Sequence, residues 1–149
     1  MIDDRFLPRV WTDKGYYYPI FSELGITYEN KNLPFTKENL KDINWAFRWR
    51  FNHFNENVDM EYINTLEQCT GLKDKNGKLI YEGDIVKDDI GLIAPVCFDE
   101  VNAMFYIDRY IGVDNYPFVY FYYYDSEKEL EVLGNIHENA DLLELKQND

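Results

Sequence analysis

Apolar and polar positions alternate along much of this chain with the period of a pleated strand, in short runs broken by polar turns. The runs "RFLPRVW" (Arg5 to Trp11) and "GYYYPI" (Gly15 to Ile20) flank a "TDK" turn and predict an amino-terminal hairpin. Pro8 and Pro19 cannot donate to a ladder, so they place these runs at sheet edges or at irregular strand ends. Beyond Gly83 a strand and turn rhythm takes over: "DIVKD", "LIAPVCF", "MFYIDRY", "PFVYFYYY" and "LEVLGNI", separated by turns at "DDIG", "DEVN", a Gly-Asn-Pro loop and "DSEK". Successive strands without intervening helices predict an antiparallel meander or a small, partly open barrel, and exclude a doubly wound α/β fold. Leu92, Ala94, Val96 and Phe98 share one pleat face and belong in the core. Leu130, Val132 and Ile136 form a second such face, with Gly134 where something approaches closely.

The middle of the chain is ambiguous. Asn30 to Pro34 reads as a loop. Leu40, Ile43, Phe47, Phe51 and Phe54 then recur at helical spacing behind a Thr36 N-cap, while Ile43, Trp45, Phe47, Trp49 and Phe51 alternate as a strand would. Lys37, Glu38, Leu40 and Lys41 favour a helix from near Thr36, with "WAFRWRF" readable as a strand. Asp59 to Leu72 returns to a strand pattern. In "ENADLLEL", Asn139 is an N-cap candidate and Asp141 complements the positive end of a short closing helical turn. The expected fold is therefore mainly β, a β-rich α+β arrangement in one domain over residues 1–149: amino-terminal strands at 1–28, a helical or irregular insertion at 29–61, and a β-rich core at 62–149.

Between the insertion and that core lies "TGLKDKNGKLIYEGDIV" (Thr70 to Val86), whose density of charge could mark a ligand loop. Its spacing argues for turns instead. Asn76-Gly77 sits between two short strands and tolerates the positive φ of a tight hairpin, and Glu82-Gly83-Asp84 makes a second bend.

Composition narrows the function. The 46% apolar and 17% aromatic content places the chain well outside the disordered range, and 149 residues suffice for a core without disulfides or metal. With 28 acidic against 15 basic side chains, the formal charge of −13 repels phosphates and disfavours nucleic acid as a partner. No charged leader and no apolar run of about 20 residues is present, which reads as a soluble cytoplasmic protein without a membrane partner. Cys69 and Cys97 read as buried, reduced thiols.

Two blocks, "CTGLKDKNGKLIYEGDIV" (Cys69 to Val86) and "GNIHENADLLE" (Gly134 to Glu144), resemble the YopX family of phage and prophage proteins. "FLPRVWTDKGYYYP" is similar to the family's amino-terminal strands more loosely, and Glu29 to Glu61 has the look of a variable insertion. The resemblance implies a small, largely β, intracellular protein of a bacterial virus or prophage. It carries over no catalytic or ligand residue.

The chain carries few residue patterns that mark chemistry. His53 and His137 lie far apart with no partner at metal-ligand spacing, and no nucleophile elbow, zincin, Walker or dinucleotide motif occurs, so neither a cofactor nor a metal is expected. The acidic pairs Asp3-Asp4, Asp88-Asp89 and Asp99-Glu100 read as solvated turn charge. "YFYYYD" (Tyr120 to Asp125) offers rings for stacking but no cationic groove, and such tyrosines more often pack a core or a partner. The densest aromatic and cationic cluster is Trp45, Arg48, Trp49 and Arg50, which with Tyr122 and Tyr124 forms the candidate partner surface. These features favour a non-enzymatic module that binds a host or phage protein, or itself. A nucleic-acid accessory, as DNA mimic or single-strand binder, is the alternative, and an enzyme the third reading.

Overall fold

In the computed structural model, residues 7–22, 25–31, 65–108 and 118–144 are described. The chain divides into two compact units, Met1–Gln68 and Cys69–Asp149.

The first unit is a four-stranded antiparallel sheet of β1 (Arg9–Thr12), β2 (Gly15–Ser22), β3 (Gly25–Glu29) and β4 (Thr65–Glu67), in the order β3-β2-β1-β4. The amino-terminal hairpin forms as the sequence pattern requires. Thr12 closes its turn, accepting the Lys14 N–H (3.0 Å) and donating to the Gly15 carbonyl (3.1 Å). Val10, Tyr17 and Leu66 stand opposite one another on one pleat face and make a small buried core, with Tyr28 packed against it. Pro19 departs from the expectation of an edge run, because β2 is an interior strand. The β1 ladder stops at Tyr17 and the β3 ladder starts at Tyr18, so Pro19 faces a partner strand on one side only and its missing N–H breaks no second ladder.

On the other face of this sheet, Arg9 and Glu67 are register partners of β1 and β4 and both are buried. Arg9 Nε donates to Glu67 Oε1 at 3.0 Å, and its guanidinium lies 4.1 Å over the Tyr16 ring. The chain leaves β3 through Asn30, whose Nδ2 donates to the Lys14 carbonyl (2.8 Å), and re-enters at Thr65, the partner of Trp11. The expected loop beyond Lys31, the helix from Thr36 and its strand alternative lie outside the described residues.

The second unit opens with a hairpin, β5 (Cys69–Lys73) and β6 (Leu79–Tyr81). A five-stranded antiparallel sheet follows: β7 (Asp84–Lys87), β8 (Ile93–Asp99), β9 (Met104–Asp108), β10 (Phe118–Tyr120) and β11 (Glu131–Asn135), in the order β10-β9-β8-β7-β11. The protein is thus mainly β, and the described strands form no closed barrel. Strands β7 to β10 make the expected meander, but β11 returns to the far edge beside β7. That return explains the main departure from the sequence pattern. "PFVYFYYY" stays extended only to Tyr120, then winds into a 3-10 turn at Phe121–Tyr123 and one helical turn, α1 (Ser126–Glu129), where a plain "DSEK" turn was expected. The connection buries Phe121 and Leu130 in the core of Ile80, Val86, Ala94, Val96 and Ile107.

Ala94, Val96, Leu130 and Val132 take core positions as their alternation predicts. Leu92 and Phe98 are half-buried outside that core, and Ile136 does not join it either, being 37% exposed. A bulge between Val132 and Gly134 shifts the register on β7, and β11 ends at Asn135, so the two-residue alternation fails beyond it. A short helix, α2 (Asp141–Glu144), closes the described chain.

Replacing Glu67 with alanine strands a buried guanidinium, so we expect a loss of about 3–5 kcal/mol of stability. The pair Arg9→Met/Glu67→Leu should recover most of it, and urea denaturation followed by tyrosine and tryptophan fluorescence reads both.

Candidate functional site

Two turns converge on β11. In the β5–β6 hairpin, Gly77 adopts φ +81° and donates to the Asp74 carbonyl, and Asp74 N–H returns a bond to the Lys78 carbonyl. Asp74 itself is 2% exposed. Its Oδ1 accepts the Asn76 and Lys78 N–H groups, each at 2.9 Å, and its Oδ2 accepts the Val132 N–H of β11, also at 2.9 Å. Beside it, Lys75 N–H donates to the Leu130 carbonyl, and Lys75 Nζ meets Glu131 at 2.8 Å. The charged cluster is turn chemistry, as its spacing suggested, and it also joins the hairpin to the sheet. Asp84 follows the same logic: buried, it accepts the Tyr81 N–H at 2.9 Å.

The second turn is "GNIHEN". Asn135 Oδ1 accepts the His137 and Glu138 N–H groups, while Asn139 Oδ1 accepts the Asn135 N–H at 3.2 Å. Asn139 is therefore not the helix N-cap its position suggested; its carboxamide turns back onto β11, over Gly134. A Cβ at Gly134 would overlap it, which is the close approach expected there.

At the β7–β8 turn, Asp88 corrects the reading of solvated charge. It is buried, with Oδ1 accepting the Ile90 and Leu92 N–H groups (3.1 and 2.8 Å) and Oδ2 accepting the Tyr124 hydroxyl (3.2 Å). Tyr124, half-buried against the core, is anchored by this bond. Its neighbour Tyr123 is 68% exposed, and Ile90, two residues from Asp88, is 76% exposed. Asp99 remains at the surface and organises the β8–β9 turn through Val101, Asn102 and the Tyr120 hydroxyl (2.9 Å). The Asn102 and Tyr120 side chains hold its carboxyl below the usual carboxylate range.

Cys97 and Tyr106 are register partners on the sheet face opposite the core, and Tyr106 meets Tyr120 edge to face. Burial, reinforced by the Asp108 charge, pushes the Cys97 thiol up to about 11. It is a poor nucleophile at neutral pH, since the thiolate is the reactive form. Neither cysteine is in a disulfide; Cys69 is buried and Cys97 half-buried. Among the described residues, no group of three or more His, Cys, Asp or Glu side chains is placed to hold a metal ion, and no helix is long and apolar enough to cross a membrane.

Of the candidate partner residues, Tyr124 is placed as above, and Tyr122 falls in the 3-10 turn, its side chain outside the described residues. Trp45, Arg48, Trp49 and Arg50 lie outside them too, as do His53 and Asp3-Asp4. Sequence reasoning missed three features: the Arg9–Glu67 pair, the reach of Asp74 to β11, and the exposure of Ile90 and Tyr123. Only the first left a trace, an arginine alternating with apolar residues in "RFLPRVW".

The two turns that meet on β11 lie within the two blocks of the sequence resemblance, and a family described as YopX protein matches residues 22–144, most of the chain. The chain belongs to the YopX family. The match takes in both units, includes the 29–61 segment set aside as an insertion, and begins at the end of β2. A comparison with curated proteins gives no match. In this YopX protein, then, the turns within those two segments direct polar side chains, Asp74, Asp84, Asn135 and Asn139, onto the fold's own backbone.

Two outcomes follow. Asp74→Ala leaves three N–H groups without their acceptor and should cost about 3 kcal/mol or more, with Asp74→Asn costing less because one oxygen survives; chemical denaturation compares them. Cys97 should resist iodoacetamide at pH 7 and react progressively faster towards pH 11. Because its folded value lies above the ordinary 9.0, its burial favours the fold fully below pH 9 and ceases to do so as pH rises through about 11.

Proposed function

We propose that this YopX protein acts through contact with another protein, of host or phage origin in a phage or prophage setting, and performs no covalent chemistry of its own. One observation carries the reading. The buried carboxylates of the second unit, Asp74, Asp84 and Asp88, engage their own chain's N–H or hydroxyl groups. The Asp88–Tyr124 bond leaves Ile90 on one segment and Tyr123 on the other facing solvent, each beside an exposed carboxylate, Asp89 and Asp125. Exposed apolar and aromatic side chains on segments tied down by that bond suit a protein interface, where aromatic anchors dominate affinity. The net charge of −13 supports a protein over a nucleic acid as the partner.

Immobilised protein is challenged with lysate from infected or lysogenic cells, and the parent is compared with Ile90→Asp/Tyr123→Ser and with Trp45→Ala/Trp49→Ala. We expect a discrete protein to be retained by the parent and bound roughly tenfold more weakly by the first variant. Equal retention by that variant, or elution of the bound material by competing DNA, would overturn the proposal.

A further inference from the structure

The hairpin tip "KDKNGK" holds the one Asn-Gly pair of the chain. Asn76 and Gly77 are both exposed, and a Cβ at Gly77 would meet nothing within 4 Å, so the dipeptide stands in open solvent. An asparagine followed by glycine carries its own electrophile and nucleophile: the side-chain carboxamide carbon, and a backbone nitrogen that no following side chain shields. In the folded turn that nitrogen is tied. The Gly77 N–H donates to the Asp74 carbonyl at 2.9 Å, and Asp74 Oδ1 accepts the N–H groups of Asn76 and Lys78, each at 2.9 Å. Attack requires the nitrogen to leave its bond and the turn to open, so the Asp74 turn gates a reaction that needs neither enzyme nor cofactor.

We propose that Asn76–Gly77 is a site of spontaneous deamidation whose rate is set by opening of the Asp74 turn, and that its isoaspartyl product releases the hairpin from β11. The Gly77 nitrogen, giving its proton to solvent base, bonds to Asn76 Cγ; the Cγ–Nδ2 bond breaks and that nitrogen leaves as ammonia, closing a five-membered succinimide. Water then opens the ring at either carbonyl, so residue 76 becomes aspartate or, where the main-chain bond is the one that breaks, isoaspartate. No group is oxidised or reduced. The change is made in the chain itself and turns over no substrate, so it leaves the reading of a contact protein as it stands. Isoaspartate carries the backbone through Cβ and Cγ, which makes the turn one atom longer. Such a turn cannot keep the Gly77 and Lys78 N–H groups on Asp74 in their present register, and its new carboxylate stands two residues from the buried one and repels it. The same Asp74 carboxylate holds the Val132 N–H, and the neighbouring Lys75 N–H holds the Leu130 carbonyl, so damage at the exposed tip reaches the sheet.

The test incubates the full chain in mildly alkaline buffer, natively and in urea, with peptide mapping that separates asparagine, aspartate and isoaspartate at position 76. We expect this position to convert ahead of the other asparagines, and roughly tenfold or more slowly in the native chain than in urea, the ratio being set by the opening equilibrium of the turn. Asp74→Asn, which keeps one acceptor oxygen, should speed native conversion and leave the rate in urea unchanged. Should that variant not fold, the parent alone decides: hydrogen exchange at the Gly77 amide and conversion at position 76 should rise together as urea is raised below the unfolding transition. The purified isoaspartyl form should unfold at lower urea than fresh protein, while Asn76→Ser, incubated alike, should keep its stability. The proposal is overturned by native conversion at position 76 no faster than at other asparagines, by equal rates in the native and unfolded chain, by a folded Asp74→Asn that converts as slowly as the parent, by exchange and conversion that do not rise together, or by an isoaspartyl form as stable as fresh protein.

Discussion

A single carboxylate, that of Asp74, sets the geometry of the second unit. With almost no surface exposed, it must be satisfied by the chain itself, since an unpaired buried charge is far costlier than any one bond it makes. Three backbone N–H groups converge on it, two from its own hairpin and one from a strand 58 residues later. Local turn geometry and long-range closure therefore depend on the same anion. The hairpin cannot change its turn without releasing β11, and β11 cannot slip in register without stranding Asp74.

Asn139 repeats this device at the other end of β11 with a neutral side chain, and Asp84 and Asp88 repeat it at successive bends. The result is a small sheet in which much of the specificity resides in polar turn residues rather than in the apolar core. That core, built on Ile80, Val86, Ala94, Val96, Ile107, Phe121 and Leu130, is generic in composition. Many sequences could supply seven such side chains; few would place acceptors at the right four bends. The two blocks that resemble the YopX family hold three of these bends, and the buried charges of Asp74 and Asp84 within them constrain the fold.

How much of this could be seen in the sequence depends on whether the cause was local. The Asn76-Gly77 hairpin, the bend at Gly83 and the two-residue alternation of β8 are set by neighbours in the chain, and each is legible from the residues. Asp88 looks the same as any turn acid until Tyr124, 36 residues on, closes over it. Ile136 breaks the alternation because of a bulge that only the pairing with β7 reveals. Phe121 leaves the strand because the connection must cross to the opposite edge of the sheet, which no periodicity records. The candidate surface suffered most from this limit: tyrosine content was visible, but which ring is anchored and which faces water, Tyr124 or Tyr123, is decided by a partner far away in sequence.

The first sheet has a consequence of another kind. Its chain departs at Asn30 and comes back at Thr65, both at the end of the sheet where the Asp13–Lys14 turn lies, with β2 and β1 between them. Three strand spacings, about 14 Å, separate the two stems. Closing a connection across such a gap grows costlier only with the logarithm of its length, about 0.6 kcal/mol per doubling. By this measure the sheet itself sets almost no rule for how many residues join the two stems.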